Sequence, residues 1–413
     1  MKTRFTLFVF LLLSLSGLNA QTGFFGEPVV PLKPQSPLFG KEIIINNQPG
    51  HDQGNVAICS AFNGWLFAGY SYDTLNEQRV LIMKSVDNGI HWSRFIDWAD
   101  ALVNEIHPKI DIVCCGSNIE GLKIIVGDIW HDTISGQAGA FVCSYNASTG
   151  SFERRLLYEL PIVNDLALAS DNTSSGPGTL GILMSKSWST HDNVTFLSSS
   201  DGGLTLDNRR DIASTQNAFI KVSLAFGKSL STGSGRYFAS WEEQASQTST
   251  TGHIYTAHSE PNFNSPFTIP VCLDSLDPSS INKVRNPAIA CQYNNVDNDS
   301  ANLTEVVLFE KYKSASDDYD VTGFYNLQAT TTSHFRPLNI AGTSNNELQP
   351  DINFNLYNST FMMTFFDSTE KKLPFLTNDV NLANPNSWNV NNQGYNDNSN
   401  LVAPYPKVDL NVG

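Results

Sequence analysis

Short apolar runs, each bounded by clusters of Gly, Asn, Ser and Asp, recur along the chain, and no stretch of useful length carries the 3.6-residue period of a helix. One phrase repeats: an apolar residue, a small or polar one and another apolar one follow a turn-like pair. Its copies are Val56-Ala57-Ile58, Ile110-Asp111-Ile112, Leu166-Ala167-Leu168, Val222-Ser223-Leu224, Ala288-Ile289-Ala290 and Ile352-Asn353-Phe354. They begin at positions 56, 110, 166, 222, 288 and 352, a spacing of 54 to 66 residues, which suits one four-stranded blade with its loops.

Each copy is followed by a denser strand pattern, at Trp65-Tyr70, Leu122-Val126, Leu180-Met184, Tyr237-Trp241, Val306-Phe309 and Phe361-Phe366. Third strands follow at Val80-Lys84, Ala140-Ser144, Val194-Ser198, Ile254-Ala257, Gly323-Leu327 and Leu373-Thr377. Many are apolar on both faces, as strands must be when their sheet packs against a neighbour on each side. The pattern predicts an all-β chain: a six-bladed β-propeller of four-stranded antiparallel blades over residues 40–395. Gly40-Asn46, with its Glu42-Ile43-Ile44-Ile45 run, is expected to pair with the last blade and close the ring, removing exposed edges. Residues 21–39, rich in Pro and Gly, read as an entry arm, and 396–413 as an exit tail.

The start changes the picture of where the protein works. Lys2 and Arg4, an apolar run from Phe5 to Leu15 and the exit Leu18-Asn19-Ala20 form the pattern of a secretory signal peptide over residues 1–20, so the mature chain is expected outside the cell or on its surface. No later stretch reaches the roughly 20 apolar residues of a membrane-spanning helix, so no membrane span is expected. The net charge of -15, from 40 acidic against 25 basic residues, argues against a nucleic-acid partner. Six cysteines in an exported chain permit disulfides, but spacing dictates no pairing, and Cys59 and Cys291 lie in apolar strands where a buried free thiol also fits.

Between third and fourth strands of the first blade stands Ser85-Val86-Asp87-Asn88-Gly89-Ile90-His91-Trp92, with Ser85, Asp87, Gly89 and Trp92 at the positions of a Ser-x-Asp-x-Gly-x-x-Trp turn. In the third blade Ser199, Asp201 and Gly203 repeat it, with Leu206 in place of tryptophan. The side chains are suited to hydrogen-bond turn amides and the glycine to supply a positive φ, so these acids read as structural. The motif resembles the Asp box of the sialidase-like (BNR-repeat) propeller superfamily, in which such turns lie on the face opposite the active site. The chain also resembles secreted propeller proteins of Bacteroidetes-type bacteria that use the type IX secretion route, through Phe365-Phe366-Asp367-Ser368-Thr369, Asn386-Ser387-Trp388 and Gly394-Tyr395-Asn396-Asp397. That likeness implies a sorting domain beyond the tail.

A sialidase-like site implies three arginines that grip a carboxylate, a Tyr–Glu nucleophile pair and an acidic proton donor. Where family members carry an Arg-Ile-Pro phrase this chain reads His51-Asp52-Gln53-Gly54-Asn55-Val56, and the mature chain has nine arginines, of which Arg285 alone precedes a first strand. An arginine triad is therefore not evident. If first strands start and second strands end at the upper face, the mouth is lined by His107, Asp165, Lys221, Arg285 and Asp351 before first strands, and by Asp128, Trp130, Lys186, Trp188, Glu242, Tyr312 and Asp367 after second strands. Aromatics beside carboxylates suit a sugar, although Trp130, Trp188 and Trp241 read first as wedges between blades. No cofactor is expected, and no metal, since the eight histidines show no paired spacing. The sequence reads first as a noncatalytic recognition or scaffold propeller binding glycan or a surface protein, as a monomer or part of a surface assembly, and alternatively as a glycoside hydrolase of sialidase-like ancestry. A central pocket with at least two carboxylates is what an enzyme requires and a scaffold does not.

Overall fold

The computed structural model describes residue 45 and residues 53–391, except 74–77, 99–104, 117–120, 161, 172–177, 189, 208, 230–234, 261–265, 277–282, 295–302, 315–316, 329–333, 341–344, 356–359 and 380–388. These residues form a six-bladed β-propeller, each blade built of four antiparallel strands, with the two residues Tyr293–Asn294 of blade five added in parallel to the first strand of blade four. The first strands, which line the axis, are Gln53–Ser60, Glu105–Cys115, Val163–Asp171, Ala218–Ser229, Val284–Cys291 and Glu347–Asn355. Each contains one of the six repeated triplets. Second strands run Leu66–Asp73, Lys123–Asp132, Thr179–Ser187, Gly235–Gln244, Glu305–Lys313 and Thr360–Asp367, longer than their apolar cores because polar ends such as Glu242–Gln244 continue the ladder. In the sixth blade the third strand starts at Phe375, two residues later than expected, beyond Pro374, which has no N–H to donate.

Apolar clusters fill the seams between successive blades, which is why so many strands are apolar on both faces. Phe67, Ile82, Ile110, Ile124 and Phe141 pack between blades one and two, and Phe354, Phe361 and Met363 meet Leu308 and Val321 between five and six. Gly181 is required by one such seam, since a Cβ there would stand 2.5 Å from the Tyr237 ring of the next blade. Blade one presents Tyr70, Tyr72, Leu81 and Met83 on its other face, where Ile45 and Trp92 pack. The rest of the expected closing segment 40–46, the leader 1–20, the arm 21–39 and the tail 396–413 lie outside the described residues. Among the described residues no helix is long and apolar enough to cross a membrane. All six cysteines are free thiols, with Cys59 Sγ and Cys114 Sγ 3.2 Å apart across the first seam.

One irregularity recurs in every blade. Near its start each first strand carries an extra residue against its second strand: the register slips at Gly54/Ala57, Ile106/Lys109, Val163/Asp165, Phe219/Val222, Arg285/Ala288 and Leu348/Asp351. Such a bulge bends the strand and re-aims the side chains around it. Asn55, Asn286 and Gln349 sit in these bulges with φ of 54°, 53° and 54°, a region costly for residues other than glycine.

Candidate active site at the central mouth

The bulges bring the starts of all six first strands to one end of the axis. There Asn55, Lys109, Asp165, Lys221, Asn286 and the pair Gln349 and Asp351 border a central cavity of about 490 Å³, one blade contributing each position. Below them Asp111, Ser223 and Asn353 share its wall with apolar residues down to Cys59, Cys114 and Cys291. Acidic and basic side chains alternate over the second, third and fourth blades. Asp165, 1 % exposed, lies 3.4 Å from the Lys109 ammonium through Oδ1, while Oδ2 accepts the Val222 N–H of the next blade at 2.9 Å.

That last bond belongs to a series that links blades one to six in succession. The Asn55 amide donates to the His107 carbonyl (2.7 Å), Leu168 N–H donates to Asp111 (2.7 Å), Ile289 N–H to Ser223 Oγ (3.1 Å), Asn286 N–H to Glu242 Oε2 (2.9 Å) and Gln349 N–H to Glu310 Oε1 (2.7 Å). The positive φ of Asn286 and Gln349 is thus coupled to amides that face carboxylates across the seam. Burial alone would raise Asp165, but Lys109, Lys221 and the Val222 and Leu166 amides outweigh it and hold the carboxyl below its ordinary range. Glu242 goes the other way: burial raises it, Glu310 adds to the shift, and the Asn286 amide, Gln244 and Lys221 do not offset them. Lys221 therefore influences two carboxyl groups shifted in opposite directions, Asp165 downward and Glu242 upward.

The expected mouth residues separate into two groups. Asp165 and Asp351 line the cavity, and Glu242 stands behind Asn286. Arg285 does not reach the cavity: the bulge turns Asn286 inward, and Arg285 bonds Glu310 through Nε at 2.5 Å with its guanidinium 3.9 Å over the Tyr319 ring. Asp128 is buried against His107 Nδ1 at 2.7 Å, and Trp130, 6 % exposed, stacks on Tyr158 as a wedge rather than a mouth residue. Trp188 is exposed on the surface beside His191, with the Lys186 ammonium 5.5 Å from its ring, while Lys186 itself bonds Glu159. Tyr312 donates its hydroxyl to Asp317, and Asp367 caps the Thr369 and Glu370 amides in a turn. Lys109, Asp111, Asn286, Glu310 and Gln349 were not among the expected residues. Glu310 had a signal, a carboxylate directly after the apolar run Val306-Phe309, as Glu242 follows Tyr237-Trp241. No arginine is among the described residues that line the cavity.

The two Ser-x-Asp-x-Gly turns occupy the opposite end, where third strands finish: Ser85 pairs with Leu66 and Ser199 with Leu180, each at the start of a second strand. Ser85 Oγ donates to Asp87 (2.9 Å) and accepts the Gly89 N–H (2.9 Å); Ser199, Asp201 and Gly203 repeat both bonds at 2.7 and 2.8 Å. Gly89 and Gly203 have φ of 83° and 82°.

No family model matches the chain, and no curated protein matches it. Among solved structures it is similar to an α-L-arabinofuranosidase from Fusarium graminearum (10% identity, 79% of this chain and 93% of that one, TM-score 0.48) and an α-L-arabinanase from Penicillium chrysogenum (12%, 80% and 94%, TM-score 0.47). It is similar too to a fucose-specific lectin from Aleuria aurantia (12%, 81% and 94%, TM-score 0.41). At these values the likeness bears on architecture, not on activity. The reading of a noncatalytic recognition or scaffold module is corrected by the mouth itself, which holds the central cavity lined by Asp111, Asp165 and Asp351 that an enzyme requires and a scaffold does not. The glycoside hydrolase alternative takes its place.

Proposed function

We propose that the protein is a glycoside hydrolase working at the central mouth. The observation that carries this reading is a cavity of sugar-binding size lined by Asp111, Asp165 and Asp351, with Glu242 held directly behind the lining residue Asn286 and the Asp165 and Glu242 carboxyls shifted in opposite directions. Glycosidic cleavage uses two carboxyl groups, one that protonates the leaving oxygen and one that activates water or attacks the anomeric carbon. Glu242 takes the first role and Asp165 the second, while Asp351, Asn286 and Gln349 offer hydrogen bonds to hydroxyls. The acid limb of the pH–rate profile reports protonation of Asp165 and the alkaline limb ionisation of Glu242.

The test is hydrolysis of a panel of aryl glycosides, arabinofuranosides and a sialoside included, by residues 21–413. Turnover of at least one substrate that collapses in Asp165→Asn and loses its alkaline limb in Glu242→Gln is expected. No turnover across the panel, or turnover indifferent to both changes, overturns the reading. The two Ser-x-Asp-x-Gly turns support descent from Asp-box propellers, and the leader pattern of residues 1–20 supports export of the activity. A secreted product whose amino terminus is Gln21 is the expected result of sequencing it.

A further inference from the structure

Spacing along the chain shows no metal set, yet folding brings three different ligand types together at the outer edge of blade four. His253 lies at the start of the third strand (Gly252–His258), Cys272 ends the two-residue fourth strand (Val271–Cys272), and Asp274 opens a single 3-10 turn (Asp274–Leu276). His253 Nδ1 is 2.8 Å from Asp274 Oδ2, and Cys272 Sγ is 3.4 Å from Asp274 Oδ1 and 4.0 Å from His253 Nδ1. A tetrahedral zinc ion with bonds of about 2.0–2.3 Å holds its ligand atoms roughly 3.3–3.6 Å apart. All three observed separations lie within about half an ångström of that range, which side-chain rotation alone supplies.

We infer that His253, Cys272 and Asp274 form a binding site for a thiophilic divalent transition ion of the zinc class. Imidazole, thiolate and carboxylate together are a borderline-soft donor set, which suits zinc or cobalt and not calcium or magnesium. Asp274 is held in place by the Ile254 N–H at 2.9 Å, the kind of supporting bond that orients a metal ligand. His253 is 40 % exposed, which gives the ion a path in and leaves the fourth coordination position open to water, and Cys272 is the one cysteine of the six that is not buried. On binding, the Cys272 thiol releases its proton to solvent and the sulfur lone pair enters the metal bond, with no change of oxidation state.

The site has a structural purpose visible in the sheet. The fourth strand of blade four has 2 residues, paired at Tyr255↔Cys272 and Thr256↔Val271 and flanked by the backbone bonds Leu273 N–H to Ile254 and Thr268 N–H to His258, whereas those of blades one and two have 6 and 8. An ion shared by His253 on the third strand and Cys272 on the fourth adds a side-chain tie across this short ladder. This inference does not depend on the hydrolase reading.

Its test is a titration of chelator-treated residues 21–413 with cobalt(II), followed by zinc(II). One equivalent of cobalt is expected to produce a thiolate-to-cobalt charge-transfer band in the near ultraviolet, absent in Cys272→Ser and shifted to at least about tenfold higher cobalt concentration in His253→Gln. Zinc is expected to raise the melting temperature of the parent and not of Cys272→Ser, with metal-free melts verifying that both are folded. Absence of the band in the parent, its survival in Cys272→Ser, or an equal zinc response in the two proteins overturns the assignment. Should Cys272→Ser fail to fold, the exposed His253→Gln decides by the same band: an unchanged titration sinks the site.

Discussion

Carboxylates stand at both ends of this propeller, and their surroundings assign them opposite work. At the end where third strands finish, Asp87 and Asp201 accept the N–H groups of His91, Leu204 and Thr205, and those bonds bring both carboxyls down to about 2. For Asp87 the His91 amide and ring dominate; for Asp201 burial opposes the shift and the Thr205 and Ser199 bonds prevail. Every lone pair there serves a turn. At the mouth, Asp165 lines the cavity and Glu242 is buried behind Asn286, and burial, lysines and amides of the neighbouring blade rather than a local turn set their shifts. Acidic residues fixed by their own loop read as scaffolding; those fixed by neighbouring blades around a shared space are the ones on which the proposed chemistry rests.

The largest effect that can break this contrast is on turnover. Asp165→Asn keeps the shape and an acceptor for the Val222 N–H but removes the charge, and glycoside hydrolysis is expected to fall by about 100- to 10,000-fold with the thermal melt little changed. The same isosteric change at Asp87 should leave turnover at the parent level. Equal losses at the two ends, measured on one substrate, would erase the distinction.

A third environment sharpens it. Glu305 is fully buried in the seam between blades four and five, its Oε1 accepting the Thr256 hydroxyl at 2.6 Å, and burial pushes its carboxyl from 4.5 up to about 7. A raised folded-state value means that the native protein keeps a proton the unfolded chain has already lost. Stability from this group is complete below about 4.5, declines as pH rises toward about 7, and stays at the lower level above that, a total on the order of 3 kcal/mol. Glu305→Gln should flatten that slope in urea unfolding measured from pH 4 to 8, whereas Asp201, whose folded value is lowered, loses its contribution only as pH falls toward about 2.

Much of the architecture was legible because a propeller writes its period into the chain. The six triplets fall inside the six axial strands, since each blade must present the same apolar–x–apolar pattern to its neighbours. The mouth was legible only in part. Asp165 and Asp351, singled out by their position at strand ends, line the cavity, but a bulge adds a residue without disturbing the apolar pattern, so which neighbour faces the axis is not written there. Arg285 shows the consequence: counting back from Ala288 points it at the cavity, and the slip between Arg285 and Ala288 gives that place to Asn286. His253, Cys272 and Asp274 escaped for a different reason, because two strands and a turn bring them together and no spacing rule spans that path.

Within the turns themselves, glycine is the residue with least latitude. Gly203 has φ of 82°, and a Cβ there would meet Leu156 Cδ1 at 3.2 Å and Ile125 Cδ1 at 3.3 Å, so Gly203→Ala combines backbone strain with a crowded seam. A stability loss of about 1–2 kcal/mol is expected from chemical denaturation. Turnover per folded molecule should not move, since the strain is at the end away from the cavity.

The smallest effect comes from exchanging one turn's plug for the other's. Trp92 packs over the Tyr70, Tyr72, Leu81 and Met83 face and donates its indole N–H to the Gly89 carbonyl at 2.9 Å, while Leu206, at the corresponding place in the third blade, packs against the apolar cluster of the seam between blades two and three with no such bond. The bond lies at a partly solvated turn, where its net worth is about 1 kcal/mol, and leucine retains part of the apolar contact. Trp92→Leu should therefore cost about 1 kcal/mol, with no change in turnover. A loss several times larger would mean that the indole supports more than its own turn, and that blade one, whose Tyr70–Met83 face it covers, depends on a plug that blade three does without.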